Sequence, residues 1–462
     1  MTIGTGAVRG FHGLRAFRHR NYRLFFGGQL ISLIGTWIQQ VAQAWLVLQL
    51  THDPLWLGLV AVAQFGPVII FGLFGGVIAD QLPKRKTLLV TQTVAMVLAF
   101  VLFGLTVTGV VEVWHVMILA VLLGTNNAID MPTRQSFAVE MVWREDMANA
   151  VGLNAAQFNT SRILGPAVAG LLIGATDISI AFLINAVSYL AVIAAYLAMR
   201  DSELRSVEPV ERPTSVRAVF ENLAEGARYV RNTPLVLLGV TVVGLVATFG
   251  MNFQVLVPPL ADNVLHVGAS GFGFLMAASG VGSTITALSV AFSRKIGPMP
   301  IVLGAIALGL GSILLALSSS YGIALVAMFI VGAGGIGMAV TANTTIQMAV
   351  PDQLRGRVMS VYTTVFAGSV PAGGLLMGAI ASAWGVPLAL MIGAVLSLAV
   401  GIGAWFWLRR IRASQGARMI RPTLVEAADI GAIDPEGRSA GPSAGSSAGS
   451  SAEPQLRVAS RR

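Results

Sequence analysis

The sequence contains no cysteine and only five histidines, and both shortages exclude classes of chemistry. Without cysteine the chain has no disulfide, no thiolate metal site and no thiol nucleophile. The histidines lie far apart in expected tails and loops, so they form no metal cluster and no nucleophile–base pair. No lysine follows a glycine, which excludes a phosphate-binding loop of the G-x-x-x-x-G-K type. We therefore expect a protein that is not an enzyme and that needs neither a metal nor a cofactor.

Charge is also scarce, because charged residues make up 11% of the chain and hydrophobic residues 55%. A soluble domain has roughly 25% charged residues, so this chain cannot cover itself with a water-facing surface. Many apolar runs reach about 20 residues, the length that spans a bilayer. The fold class is therefore an all-α membrane protein. The net charge of +9 comes from bases clustered in loops and tails. That clustering favours a lipid bilayer as the partner and argues against nucleic acid.

Apolar runs and basic residues together predict twelve transmembrane helices. With both termini in the cytoplasm, every lysine and arginine except Arg162 falls in a tail, a cytoplasmic loop or a cytoplasmic helix end. The positive-inside rule predicts this asymmetry, so we expect a multi-pass protein of the cell membrane. The spans are expected near 23–49, 54–79, 86–109, 113–137, 150–175, 178–199, 234–261, 268–292, 298–317, 321–348, 357–383 and 385–408.

The chain divides into two similar halves. Residues 145–174 resemble 352–378, as expected of a duplicated transporter, and one chain holding both halves is expected to act as a monomer. The final segment contains a Gly/Ala/Ser run, Ser439 to Ser451, that has no means of forming a core. The expected domains are a basic N-terminal segment (1–21), a six-helix bundle (22–200), a cytoplasmic linker with an amphipathic helix (201–233), a second six-helix bundle (234–410) and a disordered cytoplasmic tail (411–462).

The turn after the second span has the spacing G-x-x-x-D-x-x-x-[KR]-[KR], formed by Gly76, Asp80, Lys84 and Arg85. Here the chain resembles the major facilitator superfamily of secondary transporters. The residues on either side of Leu82 depart from the usual family pattern. The segment is expected either to clamp neighbouring helices during gating, or to be a plain turn that fixes orientation.

Two charges fall inside the expected spans, Asp130 in the fourth and Arg162 in the fifth. A lone charge at mid-bilayer costs about 2.5–3.5 kcal/mol on insertion scales, so both are expected to face the protein interior. We expect an Asp130–Arg162 pair that gates the cytoplasmic half or binds a proton. A purely structural pair is the alternative.

The fifth span continues with Gly165, Pro166 and, after three small or apolar residues, Gly170. This segment resembles the fifth-helix motif of the family's exporters. Proline removes a backbone hydrogen bond and small residues allow close helix packing, which is the alternative explanation.

Polar residues recur on one face of four spans. The resemblance implies that the first, fourth, seventh and tenth helices line a central cavity, and the polar residues occur on those helices. Packing within the bundles is the alternative for any one of them. The expected lining residues are Ser32, Thr36, Gln40, Gln43, Asn126, Asn127, Thr241, Thr248, Asn252 and Asn343.

Four stretches, 18–25, 35–39, 45–51 and 130–137, look like the enterobactin-exporter branch of the superfamily, which also includes macrolide-efflux pumps. The resemblance implies two pseudo-symmetric six-helix bundles that work by alternating access. It implies export of a small hydrophobic or amphipathic compound, such as a drug, a siderophore or a metabolite, with coupling to protons left open. Two alternatives remain: a permease for uptake or facilitated diffusion of a nutrient, and a membrane receptor or scaffold.

Overall fold

A computed structural model describes residues 12–205, 216–293 and 297–430, except for a few side chains, chiefly those of 72–81 and 414–430. No strand occurs in these ranges. Short 3-10 helices cover His12–Arg18, Arg144–Asp146 and Asp201–Glu203. The α-helices are α1 (Arg20–Thr51), α2 (Pro54–Gln81), α3 (Lys84–Val107), α4 (Val113–Glu140), α5 (Met147–Ala175), α6 (Ser179–Leu197), α7 (Val216–Asn232), α8 (Pro234–Gly250), α9 (Phe253–Asn263), α10 (Gly268–Ala291), α11 (Met299–Leu317), α12 (Tyr321–Ala349), α13 (Asp352–Trp384) and α14 (Val386–Ile430).

Eleven helical segments of the described residues are long and apolar enough to cross a membrane, with α8 and α9 counted together as one span. The twelfth expected span is α5, whose 29 residues reach about 43 Å at 1.5 Å per residue. It is long enough to span, but its first half carries several amides, such as Asn154 and Gln157, which lower its hydropathy. The twelve expected spans thus all correspond to helices in the structure.

The helices form two bundles that repeat one contact pattern. In the first bundle α2 packs on α4 and α3 on α4, and in the second α10 packs on α12 and α11 on α12. The bundles meet along two equivalent seams, α5 against α10 and α2 against α13. Each seam joins one helix of the first bundle to one helix of the second, and the two seams use the same pair of positions with the bundles interchanged. This arrangement confirms the expected pseudo-symmetry of the two halves.

Apolar burial differs between the two ends of the molecule. We call the end with Lys84 and Arg144 the basic end, and the end with Asp53 and Glu112 the opposite end. At the opposite end one apolar core includes residues from both bundles. At the basic end each bundle has a core of its own, and the two are separate. Among the described residues, the two bundles therefore share an apolar core at the opposite end and have separate apolar cores at the basic end.

The linker helix α7 packs against the second bundle. Gly226 lies beside the backbone of Arg357 in α13, and the Arg357 guanidinium pairs with Glu225 at 2.5 Å. Val230 is buried in the apolar core of that bundle. The amphipathic linker helix thus docks on the second bundle.

The chain up to Ile411 forms one compact unit, and residues from Arg412 onward form another. Within the described residues α14 runs to Ile430, so the beginning of the segment expected to be disordered is helical. The rest of that segment, 431–462, lies outside the described residues, as do residues 1–11 and 206–215.

Candidate functional site

The expected seventh span is broken in its middle. Helix α8 ends at Gly250 and α9 begins at Phe253, while Met251 and Asn252 adopt non-helical backbone angles. The Asn252 side chain donates to the carbonyl of Thr248 at 2.7 Å, which covers one of the free carbonyls at the end of α8. The first N–H groups of α9 have no partner in a preceding turn. The break therefore exposes a helix N-terminus within the membrane-spanning part of the protein.

A central cavity of about 200 Å³ lies at this break, between the two bundles. Both bundles line it. Trp37 of α1, Phe65 of α2 and Phe253 of α9 supply aromatic surface, and Asn252 supplies an amide. Arg162 is the only charged side chain among the described residues of the lining. The cavity is therefore a mainly apolar chamber with one cation in its wall.

The expected Asp130–Arg162 pair is wrong. Asp130 pairs instead with Arg134 of the same helix, at 3.4 Å, and Arg162 has no ion pair or side-chain hydrogen bond among the described residues. The physical reason is the spacing of the charged residues along α4. Residues four apart face the same side of a helix, so Arg134 reaches Asp130 within α4. Arg162 lies in the central cavity instead.

Asp130 belongs to a second, polar cavity of about 120 Å³ inside the first bundle. Its carboxylate accepts hydrogen bonds from Thr91 and Gln92 of α3, at 2.7 and 2.8 Å. Polar side chains of α1 and α4, which were expected to line the central cavity, converge instead on this cavity inside the first bundle. The lining includes Ser32, Thr36, Gln40, Gln43, Asn126 and Asn127.

The other expected lining residues lie in different places, and only one of them lines the central cavity. Asn252 lines the central cavity. The hydroxyl of Thr248 bonds the carbonyl of Gly244 within α8, and the Asn343 side chain accepts from Gln347 within α12. Thr241, Thr248 and Asn343 line neither the central nor the polar cavity. The Asn343 side chain is therefore engaged within its own helix.

A third cavity of about 520 Å³ opens between α1, α4 and α5, near the basic end. Arg134, Leu33 and Met131 line both this cavity and the polar one. Gln157 and Asn154 of α5 supply polar groups on its wall. We call this cavity the vestibule. It adjoins the polar cavity that holds Asp130 and shares the wall residues Arg134, Leu33 and Met131 with it.

The Gly-Pro segment of α5 packs on both bundles. Gly165 lies against Trp37 of α1, and Gly170 lies against Gly273 of α10, where the Ser270 hydroxyl donates to the Gly170 carbonyl at 2.8 Å. Pro166 has no N–H for the Arg162 carbonyl one turn earlier. That carbonyl lies close to Gly280 of α10. The segment is therefore part of the seam between the bundles.

The basic pair of the loop motif clamps helix ends within the first bundle. The ammonium group of Lys84 pairs with Glu140 at the end of α4. Arg85 donates to the carbonyls of Tyr196 and Leu197 at the end of α6, at 2.8 and 3.0 Å. A cation at the C-terminal end of a helix is favourable because the carbonyls there are unpaired. Gly76 and Asp80 fall in the part of α2 whose side chains lie outside the described residues.

An ionic cluster at the basic end was not foreseen from the sequence. The buried Asp146 carboxylate lies 2.6 Å from Arg18 and 2.8 Å from His19, and Arg18 also pairs with Glu145. Burial raises the pKa of Asp146, but the His19 hydrogen bond and the Arg18 charge outweigh it and bring that pKa below its ordinary value. The cluster ties the start of α1 to the turn before α5. The sequence gives no local signal, because the partners are more than a hundred residues apart.

Comparison with known proteins gives one consistent result. The family model described as transmembrane secretion effector matches residues 12–428. The staphyloferrin A transporter of Staphylococcus aureus is 24% identical, over 84% of this chain and 97% of that protein. The multidrug efflux pump Tap of Mycolicibacterium fortuitum is 29% identical, over 82% and 93%. The enterobactin exporter EntS of Shigella boydii is 24% identical, over 83% and 92%.

Solved structures share the fold. A mutant of the nucleoside transporter NupG superposes with a TM-score of 0.69, at 12% identity, over 86% of this chain and all of that one. A bacterial homologue of the lysosomal transporter Spinster superposes with a TM-score of 0.66, at 13% identity, over 88% and 98%. These proteins are transporters and not enzymes, and the fold is the twelve-helix arrangement expected from the sequence.

Proposed function

We propose that this chain, which belongs to the transmembrane secretion effector family of the major facilitator superfamily, exports a small amphipathic compound across the cell membrane by alternating access. The proposal rests on the difference in apolar packing between the two ends of the interface between its bundles. One apolar core crosses the interface at the opposite end, while the cores at the basic end are separate. A transporter of this kind rocks its bundles about a central site, and the described state is the one closed at the opposite end.

The basic end faces the cytoplasm in this proposal. Lys84, Arg144 and Arg357 lie there, and cytoplasmic loops of membrane proteins carry an excess of such bases. The closed end, with Asp53 and Glu112, faces outward. Both termini are then cytoplasmic, and the described state receives its cargo from the cytoplasm. One chain contains both bundles and the cavity between them, so a monomer suffices.

Export is favoured by the relatives. Two of them, the Tap pump and the enterobactin exporter EntS, are named for outward transport. The lining of the central cavity fits a compound with an apolar body, because Trp37, Phe65 and Phe253 form its walls. A drug, a siderophore or a metabolite of that kind is the cargo.

Proton coupling is assigned to Asp130 and gating to its pair with Arg134. Asp130 is the one acid in the lining of the three cavities. An ionisable residue inside a membrane protein marks an ion or proton pathway by default. Protonation of Asp130 would remove the charge that Arg134 faces at 3.4 Å. That change is suited to loosening the wall shared by the polar cavity and the vestibule.

A disulfide across the closed seam tests alternating access. The chain has no cysteine, so a pair can be introduced without removing others. A Cβ at Gly374 of α13 would lie 3.6 Å from the Cβ of Ala61 in α2. Disulfides join Cβ atoms about 3.5–4.5 Å apart. The double variant Ala61→Cys, Gly374→Cys should lose transport on oxidation and regain it on reduction, because the bond holds the opposite end closed.

A matched pair inside the second bundle is the control. A Cβ at Gly239 of α8 would lie 3.9 Å from that of Ala342 in α12. Oxidation of Gly239→Cys, Ala342→Cys should leave transport unchanged, because the bundle moves as one body. Equal loss from both pairs would contradict the rocking of rigid bundles, and full transport with the seam locked would contradict alternating access.

Direction is tested with cells that contain or lack the protein. A panel of dyes and macrolides is loaded, and their loss from the cells is followed with and without an uncoupler. Faster loss that the uncoupler abolishes would support gradient-driven export. Faster accumulation of any compound would instead show uptake.

A further inference from the structure

Arg162 is a cation without a counter-charge in the described structure. It is half-buried in the wall of the central cavity, and no other charged residue lines that cavity. Asp130, which the sequence suggested as its counter-ion, pairs with Arg134 and accepts hydrogen bonds from Thr91 and Gln92. A charge inside the membrane-spanning region is costly unless something pairs with it. The position therefore leaves a cation in the cavity wall that an anion from outside the described chain can pair with.

A second positive feature faces the same cavity. Asn252, Phe253 and Gln254, at the N-terminus of α9, all line it. The N–H groups of Phe253 and Gln254 have no acceptor among the described residues, since the first bonds into the helix come from Val255 and Leu256. The helix of 11 residues adds the partial positive charge of its dipole. Free N–H groups at a helix N-terminus bind carboxylate, sulfate or phosphate groups.

The two features come from different bundles. Arg162 belongs to α5 in the first and the start of α9 to the second, so an anion between them would touch both. Apart from Ser279, the remaining walls are apolar and aromatic, and no described residue of the lining is an acid. The lining thus matches a ligand with one anionic group and an apolar or aromatic body.

We propose that Arg162 and the N-terminus of α9 form the anion subsite of the central cavity, and that the cargo class is an amphipathic organic anion. The assignment of this cavity to cargo rests on the proposed function. Guanidinium donors on one side and backbone N–H groups on the other would hold a carboxylate or sulfonate. The aromatic walls, Trp37, Phe65 and Phe253, would hold the body of the molecule.

Binding to the purified full-length protein in lipid nanodiscs tests the proposal. The probes are 8-anilinonaphthalene-1-sulfonate, an anion, and N-phenyl-1-naphthylamine, a neutral molecule with the same aromatic body. Fluorescence is measured against empty nanodiscs. Arg162→Gln should weaken sulfonate binding by about 10-fold or more, the size of a lost hydrogen bond to a charged group. Binding of the neutral amine should stay within about 2-fold.

Two further variants make the result specific. Arg162→Lys keeps the charge but loses the planar fork, so its sulfonate affinity should fall between those of the unmodified protein and Arg162→Gln. Arg217→Gln removes an exposed base of α7 and should change neither affinity. Thermal unfolding of each variant shows whether it is folded.

Three outcomes would overturn the proposal: equal weakening of both probes, no weakening of either, or no saturable sulfonate binding to the unmodified protein. Because binding needs no gradient, the proposal can fail separately from the export function. Charge-selective binding without transport in cells would contradict export and leave the subsite standing. Export by a protein whose binding does not depend on the charge of the probe would contradict the subsite and leave the export function standing.

Discussion

The Asp130 carboxylate lies 3.4 Å from the guanidinium of Arg134, its neighbour one turn along α4. Its second oxygen accepts hydrogen bonds from Thr91 and Gln92 of α3. The acid is thus fixed by donors on two helices. Its charge and its acceptor capacity are separable, because asparagine keeps an acceptor oxygen and alanine does not.

We expect Asp130→Asn to abolish uncoupler-sensitive export while the protein stays folded, since the site loses its titratable group. Asp130→Ala should also lower the free energy of unfolding by about 1–3 kcal/mol, because Thr91 and Gln92 lose a buried acceptor. Export assays and thermal unfolding measure the two effects. Asp262→Asn, at the exposed end of α9, is the control. Full, uncoupler-sensitive export by Asp130→Asn would contradict the coupling role.

The Lys84–Glu140 pair should stabilise the first bundle. Both side chains are less than one-fifth exposed, 18% and 16%. Removing one partner leaves a poorly hydrated charge, so Lys84→Met should cost about 1–3 kcal/mol in the free energy of unfolding. The exposed pair Arg217–Glu221 should contribute at most about 0.5 kcal/mol. Double-mutant cycles at both pairs measure this difference, and equal coupling energies would refute it.

Gly170 should be intolerant of even a methyl group. A Cβ there would lie 2.8 Å from the Ser270 carbonyl oxygen and 3.0 Å from the Gly273 Cα, both backbone atoms. Gly170→Ala should disfavour the described state by about 1–3 kcal/mol, because the seam must shift. A cysteine placed at Asn154, in the vestibule, should then react more slowly with an impermeant maleimide.

Gly152 provides the matched control for Gly170 on the same helix. A Cβ at this position would meet nothing within 4 Å. Gly152→Ala should therefore leave the maleimide reaction and transport unchanged. Equal effects of the two substitutions would show that helix flexibility, and not the seam, decides the result.

Acid should destabilise the cluster around Asp146. The folded-state pKa of this carboxyl is lowered from its ordinary value of 3.8. Its contribution to stability is therefore complete above about pH 4–5 and is lost as the pH falls through the lower folded value. Thermal unfolding between pH 3 and 7 should show a steeper acid decline for the unmodified protein than for Asp146→Asn. Glu203→Gln, at an exposed site, should keep the steep decline, and identical curves for all three would refute the prediction.

The sequence predicted the membrane-spanning helices well, because their existence depends on apolar length and on the placement of bases. Helical spacing placed Ser32 and Gln43 on one face of α1, but these residues and Asn127 line a cavity inside the first bundle and not the expected central cavity. The partner of Asp130 did not, although the i,i+4 spacing to Arg134 was visible in the sequence. The free-energy cost of inserting a charge into the bilayer indicates that a buried charge needs a partner, but it does not identify that partner.

The break at Met251 and Asn252 was missed for a similar reason. The apolar run of the seventh span is continuous, and hydropathy does not report backbone angles. Gly250 and the Pro258–Pro259 pair were the only local signals. The cluster of His19 with Asp146 depends on tertiary packing between distant segments, which helical periodicity does not encode.

The apolar core that crosses the interface has a thermal consequence. In the proposed alternating-access cycle this core separates and water reaches it, while the two cores at the basic end persist within their bundles. Exposure of apolar surface carries a positive heat capacity. The equilibrium between the two states should therefore curve with temperature, and an Arrhenius plot of turnover should bend even where the membrane lipid undergoes no phase change.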